Sequence, residues 1–132
     1  MQNIMLLAAM AVLLYIAFRF YGKGGSASGF VNLSSDEFKE KMQEPNTEVI
    51  DVRTSGEVAG GYIKGAKHFF DYTGGGFEQK IAKLDKEKTY LVYCRSGARS
   101  SAACGILAKN GFMRVGNLRG GIMGWNGDIA KK

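Results

Sequence analysis

A cysteine separates a strand-like run from a helix-like run in the segment Tyr93-Cys94-Arg95-Ser96-Gly97-Ala98-Arg99-Ser100. The run Thr89–Tyr93 is rich in β-branched and aromatic side chains, which is typical of a buried strand. Residues 100–110 carry small and apolar side chains at helical spacing, and Asn110-Gly111 is a helix stop signal. The pattern therefore predicts that Cys94 lies at a turn from a strand into a helix.

A cysteine in such a turn is a candidate nucleophile. Free backbone N–H groups at the start of a helix lower the pKa of a thiol from its usual value of about 8.5, and so do nearby cations such as Arg95 and Arg99. Gly97 permits a backbone conformation that other residues avoid, and so it can direct its N–H group into the loop. We therefore predict Cys94 as the catalytic residue. The predicted anion-binding loop consists of Arg95, Ser96, Gly97, Ala98, Arg99 and Ser100.

The spacing within this loop bears on the substrate. A phosphate-cleaving loop of the Cys-x5-Arg type places an arginine six positions after the cysteine, where this chain has Ser100, while Arg99 comes one position earlier. The shorter ring of N–H groups suits a smaller, softer cargo, such as one sulfur atom carried on Cys94 as a persulfide.

Three further segments outside the loop have recognisable patterns. Val49-Ile50-Asp51-Val52-Arg53 is a strand-like run that ends in Asp-x-Arg. The segment from Glu57 to Ala66 reads Glu-x-x-x-Gly-Tyr-Ile-x-Gly-Ala, and Gly120-Gly121-Ile122-Met123-Gly124-Trp125 reads Gly-Gly-x-x-x-Trp. Together with the cysteine loop, these segments resemble in type and order the motifs of single-domain rhodaneses, a family of sulfurtransferases, over roughly residues 30 to 127. The one departure is Tyr62, where the family usually has histidine.

The resemblance implies a function and its partners. Cys94 would take sulfane sulfur from a donor such as thiosulfate and pass it to cyanide, a thiol, a thioredoxin-like protein or another sulfur-relay protein. It implies no cofactor and no metal. Asp51 and Arg53 would pair within the fold beneath the loop and support it indirectly.

Segments outside the loop alternate between strand-like and helix-like patterns, which favours a three-layer α/β domain with a mainly parallel sheet flanked by helices. A capping box at Ser34-Ser35-Asp36-Glu37 predicts a helix through Met42. Strands are expected at residues 49–52, 66–70, 91–93 and 114–118, and a helix that carries Phe77, Ile81 and Leu84 follows Gly74-Gly75-Gly76. In parallel sheets, ligand sites lie at the carboxyl ends of the strands, where Cys94 is expected.

The first 18 residues carry no charged side chain, and as a helix they would span roughly 27 Å, close to the ~30 Å hydrocarbon core of a bilayer. We therefore expect a single transmembrane helix at residues 1–21, a Gly/Ser linker at 22–29 and the rhodanese domain at 30–132. Arg19 and Lys23 follow the span and no basic residue precedes it, so the positive-inside rule favours a cytoplasmic domain. The alternative is a cleaved signal peptide and a periplasmic domain, although a basic n-region is missing.

The charge of the chain is modest. Residues 30–132 hold 16 basic and 12 acidic side chains, a balance that suits anionic substrates or an acidic partner. Nucleic acid is not expected to be a partner, because no basic run with interleaved aromatics appears. No metal-ligand spacing or nucleotide fingerprint is present.

Two other functional classes stay open on the residues alone. One is a membrane-tethered persulfide carrier or interaction module that feeds a docked partner protein. The other is a phosphatase or arsenate reductase, which the position of Arg99 disfavours. Cys104 is more easily read as an inert helix residue than as a resolving thiol. His68 is not expected to act as a general base, and Phe112 and Trp125 are expected to be core aromatics.

Overall fold

Five parallel strands form the central sheet in a computed structural model, which describes residues 29–132. Their order across the sheet is β1-β6-β5-β2-β4, and each neighbouring pair is parallel. The strands are β1 (Val31–Leu33), β2 (Thr47–Asp51), β4 (Ala66–Phe69), β5 (Thr89–Tyr93) and β6 (Arg114–Leu118). The central position of β5 places the following residue, Cys94, in the middle of the sheet's carboxyl edge.

Four helices and two short 3-10 turns connect the strands. The helices are α1 (Ser35–Met42), α2 (Ser55–Ala59), α3 (Phe77–Ile81) and α4 (Ala98–Lys109), and the 3-10 turns are Tyr72–Gly74 and Ile122–Gly124. A separate antiparallel pair joins β3 (Tyr62–Ile63) to β7 (Ile129–Ala130). Its Tyr62, which stands where the family usually has histidine, packs edge-on against Phe69 at 5.1 Å.

The core lies on both faces of the sheet. Every residue of β5 is buried, and its side chains alternate between two apolar layers. Tyr90 and Val92 belong to the layer that contains Leu107 of α4, while Leu91 and Tyr93 belong to the layer that contains Phe38 of α1. This alternation follows from the two-residue period of a strand, and it explains why β5 is apolar throughout.

The predicted three-layer α/β class with a mainly parallel sheet is confirmed, and so is the capping box, in which Ser34 and Glu37 bond each other's backbone N–H groups. The helix after the cysteine begins two residues before the helical pattern of residues 100–110. Helix α4 begins at Ala98 and not at Ser100, because Gly97 takes the capping position with a φ of 108° and lets the helix start at once. Arg99 and Ser100 therefore lie in the first helical turn.

The predicted membrane span at residues 1–21 lies outside the described residues, as does the linker apart from Gly29. Within residues 29–132 there is no helix with the length and apolar character needed to cross a bilayer.

Truncating a buried isoleucine of the central sheet tests the packing. Ile50 is fully buried in β2, so Ile50→Ala should lower the free energy of unfolding by about 2–5 kcal/mol in urea denaturation. Ile129→Ala, at a position that is half exposed, is the matched control and should cost less than about 1 kcal/mol. Equal losses in the two variants would contradict the two-layer core.

Candidate active site

Cys94 directly follows β5, and its side chain is only 1% exposed. The backbone around it is held by neighbouring segments on both sides. Val52 donates its N–H group to the carbonyl of Tyr93 at 3.1 Å, and Ile122 donates to the carbonyl of Cys94 at 2.9 Å. Met123 donates to the carbonyl of Arg95 at 3.1 Å. These hydrogen bonds hold the backbone of Cys94 and of both its neighbours in place.

Hydrogen-bond donors converge on the sulfur of Cys94. The backbone N–H of Gly97 lies 3.1 Å from Sγ, and the hydroxyl oxygen of Ser100 lies 3.3 Å from it. Both donors lie at the start of α4, Gly97 as its capping residue and Ser100 in its first turn. The sulfur is therefore buried but faces polar groups that favour a negative charge.

These donors set the acidity of the thiol. Burial raises the pKa of Cys94, but hydrogen bonds from the Ser100 hydroxyl and from the backbone N–H groups of Ser100, Gly97 and Ser96 outweigh this effect, and the pKa is lowered from its ordinary value. More of Cys94 is then present as the thiolate, which is the nucleophilic form of cysteine. Cys104 has the opposite environment, because complete burial raises its pKa well above the ordinary value.

Arg99 forms an ion pair with Glu57 of α2. Its Nη1 and Nη2 atoms donate to the two carboxylate oxygens at 2.8 and 2.9 Å, a bidentate geometry. Glu57 also closes a capping box with Thr54 at the start of α2. The pKa of Glu57 falls to about 2, mainly through the hydrogen bond from Arg99. Arg99 thus ties α2 to the first turn of α4.

Arg95, Ser96 and Ala98 are the exposed members of the loop. Within residues 29–132, Arg95 makes no ion pair, so its guanidinium is open to an incoming anion. The predicted loop residues thus divide into donors to the sulfur, a cation tied to α2 and exposed positions. Their functional roles stay predictions.

Asp51 and Arg53 form a buried ion pair at the end of β2, with Nη2 of Arg53 2.8 Å from Oδ2 of Asp51. Arg53 also donates to the carbonyl of Gly61 at 2.7 Å, and Asp51 accepts the backbone N–H of Arg53 at 2.9 Å. Burial alone would lower the pKa of Arg53, but bonding to Asp51 outweighs it and the pKa is raised. The expected pairing of Asp51 with Arg53 is present, and it braces the strand next to β5.

The remaining side chains singled out in the sequence lie in the packed body of the domain. His68 is half buried and bonds Glu48 at 2.9 Å. Phe112 is buried against Tyr90, and Trp125 packs edge-on against Phe38 at 5.7 Å. The expectation of core aromatics therefore holds for Phe112, whereas Trp125 is only half buried.

Two contacts of the site were not predicted from the sequence. Glu57 was noted only as part of a motif, and nothing local indicates that it meets Arg99 across 42 residues. Asn117 of β6 lies 2.6 Å from the hydroxyl of Ser100 and was read only as a strand residue. For Asn117, the sequence signal was a polar side chain within a strand that was expected to be buried. In the part of the chain that the structure describes, no group of His, Cys, Asp and Glu could hold a metal ion.

Known proteins resemble this chain in sequence and in fold. A family model described as the rhodanese-like domain matches residues 34–128. The chain belongs to the rhodanese-like family. This rhodanese-like chain is 40% identical over 101 residues to a protein named "Putative sulfurtransferase YtwF" of Bacillus subtilis (strain 168), a match that covers 76% of this chain and 94% of that protein.

Two further comparisons agree with this assignment. A protein named "Sulfurtransferase" from Allochromatium vinosum is 39% identical over 77 residues, which are 58% of this rhodanese-like chain and 69% of that protein. The crystal structure of a rhodanese-like domain protein from Staphylococcus aureus superposes with a TM-score of 0.66 at 27% identity. That superposition covers 76% of this chain and 97% of the other.

The close approach of Gly121 to the loop generates a stability prediction for this rhodanese-like domain. Gly121 has a φ of 61° and a ψ of −162°, a region essentially restricted to glycine, and a Cβ there would overlap the carbonyl of Arg95. Gly121→Ala should therefore lower the free energy of unfolding by about 2 kcal/mol or more and slow the alkylation of Cys94. Gly124→Ala, where a Cβ meets open space, is the control and should change neither; equal effects would refute the proposed clash.

The ion pair between Glu57 and Arg99 predicts a pH-dependent stability. Because the pKa of Glu57 is lowered from 4.5 to about 2, its contribution is present above pH 4.5 and is lost as the pH falls through about 2. The melting temperature of Glu57→Gln should lie below that of the wild type at pH 6, and this gap should close toward pH 2. Glu87→Gln is the control, since exposed Glu87 joins no ion pair among the described residues. A gap that is constant with pH would contradict this prediction.

Proposed function

We propose that this chain is a sulfurtransferase that carries sulfane sulfur as a persulfide on Cys94, with thiosulfate as a donor and cyanide or a thiol as an acceptor. The observation that carries the proposal is the convergence of the Gly97 N–H and the Ser100 hydroxyl on a sulfur with a lowered pKa. Two relatives whose names contain the word sulfurtransferase support the same chemistry.

The first step loads the sulfur. The Cys94 thiolate attacks the outer sulfur of thiosulfate, the S–S bond of thiosulfate breaks, and its electron pair leaves with sulfite. The product is the anion Cys94-S-S⁻, and the total charge is unchanged. The open guanidinium of Arg95 is suited to attract the dianionic donor, and loop N–H groups are suited to stabilise the persulfide anion.

The second step unloads the sulfur. A nucleophilic acceptor such as cyanide attacks the outer sulfur, forms a bond to it, and returns the electron pair of the S–S bond to Sγ of Cys94. Thiocyanate leaves, and the thiolate is regenerated in the same hydrogen-bonded position. The nucleophile is already ionised in both steps, so the chemistry requires no general base.

The contacts of Arg99 disfavour a phosphate-cleaving function. In a Cys-x5-Arg loop the arginine holds the bound anion, yet position six after Cys94 is the buried Ser100. Arg99, one position earlier, has its guanidinium bonded at both ends to Glu57. The neutral Ser100 hydroxyl suits a single sulfur better than a phosphate with several charged oxygens.

Intact mass spectrometry of the whole chain tests the proposed function. Incubation with thiosulfate should add about 32 Da to the wild type, and cyanide should remove this mass with release of thiocyanate. Cys94→Ala should gain nothing. Cys104→Ala is the matched control and should still gain the sulfur, because burial raises the pKa of Cys104 well above its ordinary value and keeps it as an unreactive thiol.

Three outcomes are decisive. An adduct on Cys94→Ala would overturn the role of Cys94, and the absence of an adduct on the wild type would exclude thiosulfate as the donor. An adduct that forms but is discharged only by a protein thiol would favour the persulfide carrier over the thiosulfate-to-cyanide enzyme.

A further inference from the structure

The hydroxyl of Ser100 lies between two polar neighbours. Its oxygen is 3.3 Å from Sγ of Cys94 and 2.6 Å from Oδ1 of Asn117, so each neighbour can accept its proton. A serine hydroxyl carries one proton, so it can donate to only one of these neighbours at a time. Ser100 is fully buried and Asn117 is 4% exposed, so water does not readily substitute for either partner.

The amide of Asn117 can meet Ser100 in two ways. If it presents its oxygen, it takes the hydroxyl proton, and the sulfur receives no hydrogen bond from Ser100. If it presents its NH₂ group, it donates to the hydroxyl oxygen, and the proton of Ser100 is free to point at the sulfur. The two arrangements have almost the same shape, so the charge on the sulfur can select between them.

The far side of the amide has a partner that accommodates both arrangements. In the structure, Nδ2 of Asn117 donates to Oδ1 of Asn32 at 3.0 Å, and Asn32 lies in β1, which is paired with β6 in register. Asn32 is exposed, so its amide can turn in water and offer either an oxygen or an NH₂ group to Asn117. The contact therefore satisfies Asn117 without locking its orientation.

We infer that Asn117 is a positioning residue that directs the Ser100 hydroxyl toward Cys94 whenever the sulfur is negatively charged. This inference rests on the proposed function, because sulfur transfer passes through the thiolate. In the thiol state the direction of these hydrogen bonds is reversed. Cys94 donates to Ser100, and Ser100 donates to the oxygen of Asn117. No covalent bond of Ser100 or Asn117 changes, and ionisation releases the thiol proton to solvent.

The substitution Asn117→Asp should prevent the Ser100 hydroxyl from donating to the thiolate of Cys94. A carboxylate can only accept, so it would hold the Ser100 proton and withdraw that donor from the thiolate. A hydrogen bond to a charged group is worth enough to shift a pKa by about one unit, so Asn117→Asp should raise the pKa of Cys94 by about that amount. To obtain this pKa, the whole folded chain is alkylated with iodoacetamide at a series of pH values. The extent of alkylation is then quantified on the peptide that contains Cys94.

A double-mutant cycle distinguishes an effect of position 117 that passes through the Ser100 hydroxyl from direct charge repulsion between position 117 and the sulfur. If Asn117 acts through Ser100, then Asn117→Asp should have little effect in a Ser100→Ala background. A shift of the same size in both backgrounds would mean that the new charge acts directly on the sulfur, and no shift in either would mean that Asn117 has no influence; both results overturn the inference. Asn46→Asp makes the same chemical change on the surface at the opposite end of β2 and should shift nothing.

Other groups that act on Cys94 stay constant in this comparison. Arg99 and Cys104 of α4 interact electrostatically with the sulfur, and Glu57 of α2 and Asp71 face Arg99. None of them is changed in the four proteins of the cycle.

A second measurement needs no variant of Asn117, and so it holds even if that variant does not fold. The side-chain NH₂ resonances of Asn117 in the wild type should titrate with the pKa of Cys94, because the amide reverses when the sulfur ionises. In Ser100→Ala the hydroxyl that connects Asn117 to the sulfur is absent, so the Asn117 resonances should no longer titrate. An equal titration in Ser100→Ala would contradict the inference.

Both experiments report on the ionisation of Cys94 and not on sulfur transfer. A negative result in either one is therefore distinct from a negative result in the persulfide assay.

Discussion

A negative charge on a buried sulfur is tolerable only if hydrogen-bond donors surround it, and in this chain the start of α4 supplies them. The Gly97 N–H and the Ser100 hydroxyl lie 3.1 and 3.3 Å from Sγ of Cys94. Burial opposes ionisation, and these donors reverse the balance. The position of α4 relative to β5 therefore determines the chemistry, and the neighbouring segments serve to hold that position.

Three separate contacts hold the turn. The segment around Gly121 bonds the carbonyls of Cys94 and Arg95, and only a glycine leaves room for this approach. The ion pair of Arg99 with Glu57 ties the first turn of α4 to α2. The buried pair of Asp51 and Arg53 braces the end of β2 beside it. Each contact involves at least one residue outside the loop, so the geometry of the loop depends on the whole carboxyl edge of the sheet.

The cations near the site have different partners. Arg99 is neutralised by Glu57 and Arg53 by Asp51, so neither presents an unbalanced charge to a substrate. Arg95 is exposed and makes no ion pair among the described residues, which leaves it as the loop cation suited to an anionic donor. One stabilised charge on sulfur and one open cation in the loop support the proposal of a small anionic donor such as thiosulfate over a phosphate ester.

The sequence by itself determined the α/β class, the strands around Cys94, the capping box at Ser34 and the place of the cysteine between a strand and a helix, because these depend on local periodicity and turn chemistry. It did not define where α4 starts, since a glycine with a positive φ can cap a helix without any side-chain signal. Only the tertiary structure decided that Arg99 meets Glu57 and that Asn117 and Asn32 extend the hydrogen bonds of Ser100. Those contacts depend on which strands are neighbours in the sheet, and strand order arises from the packing of the whole chain and not from any short segment.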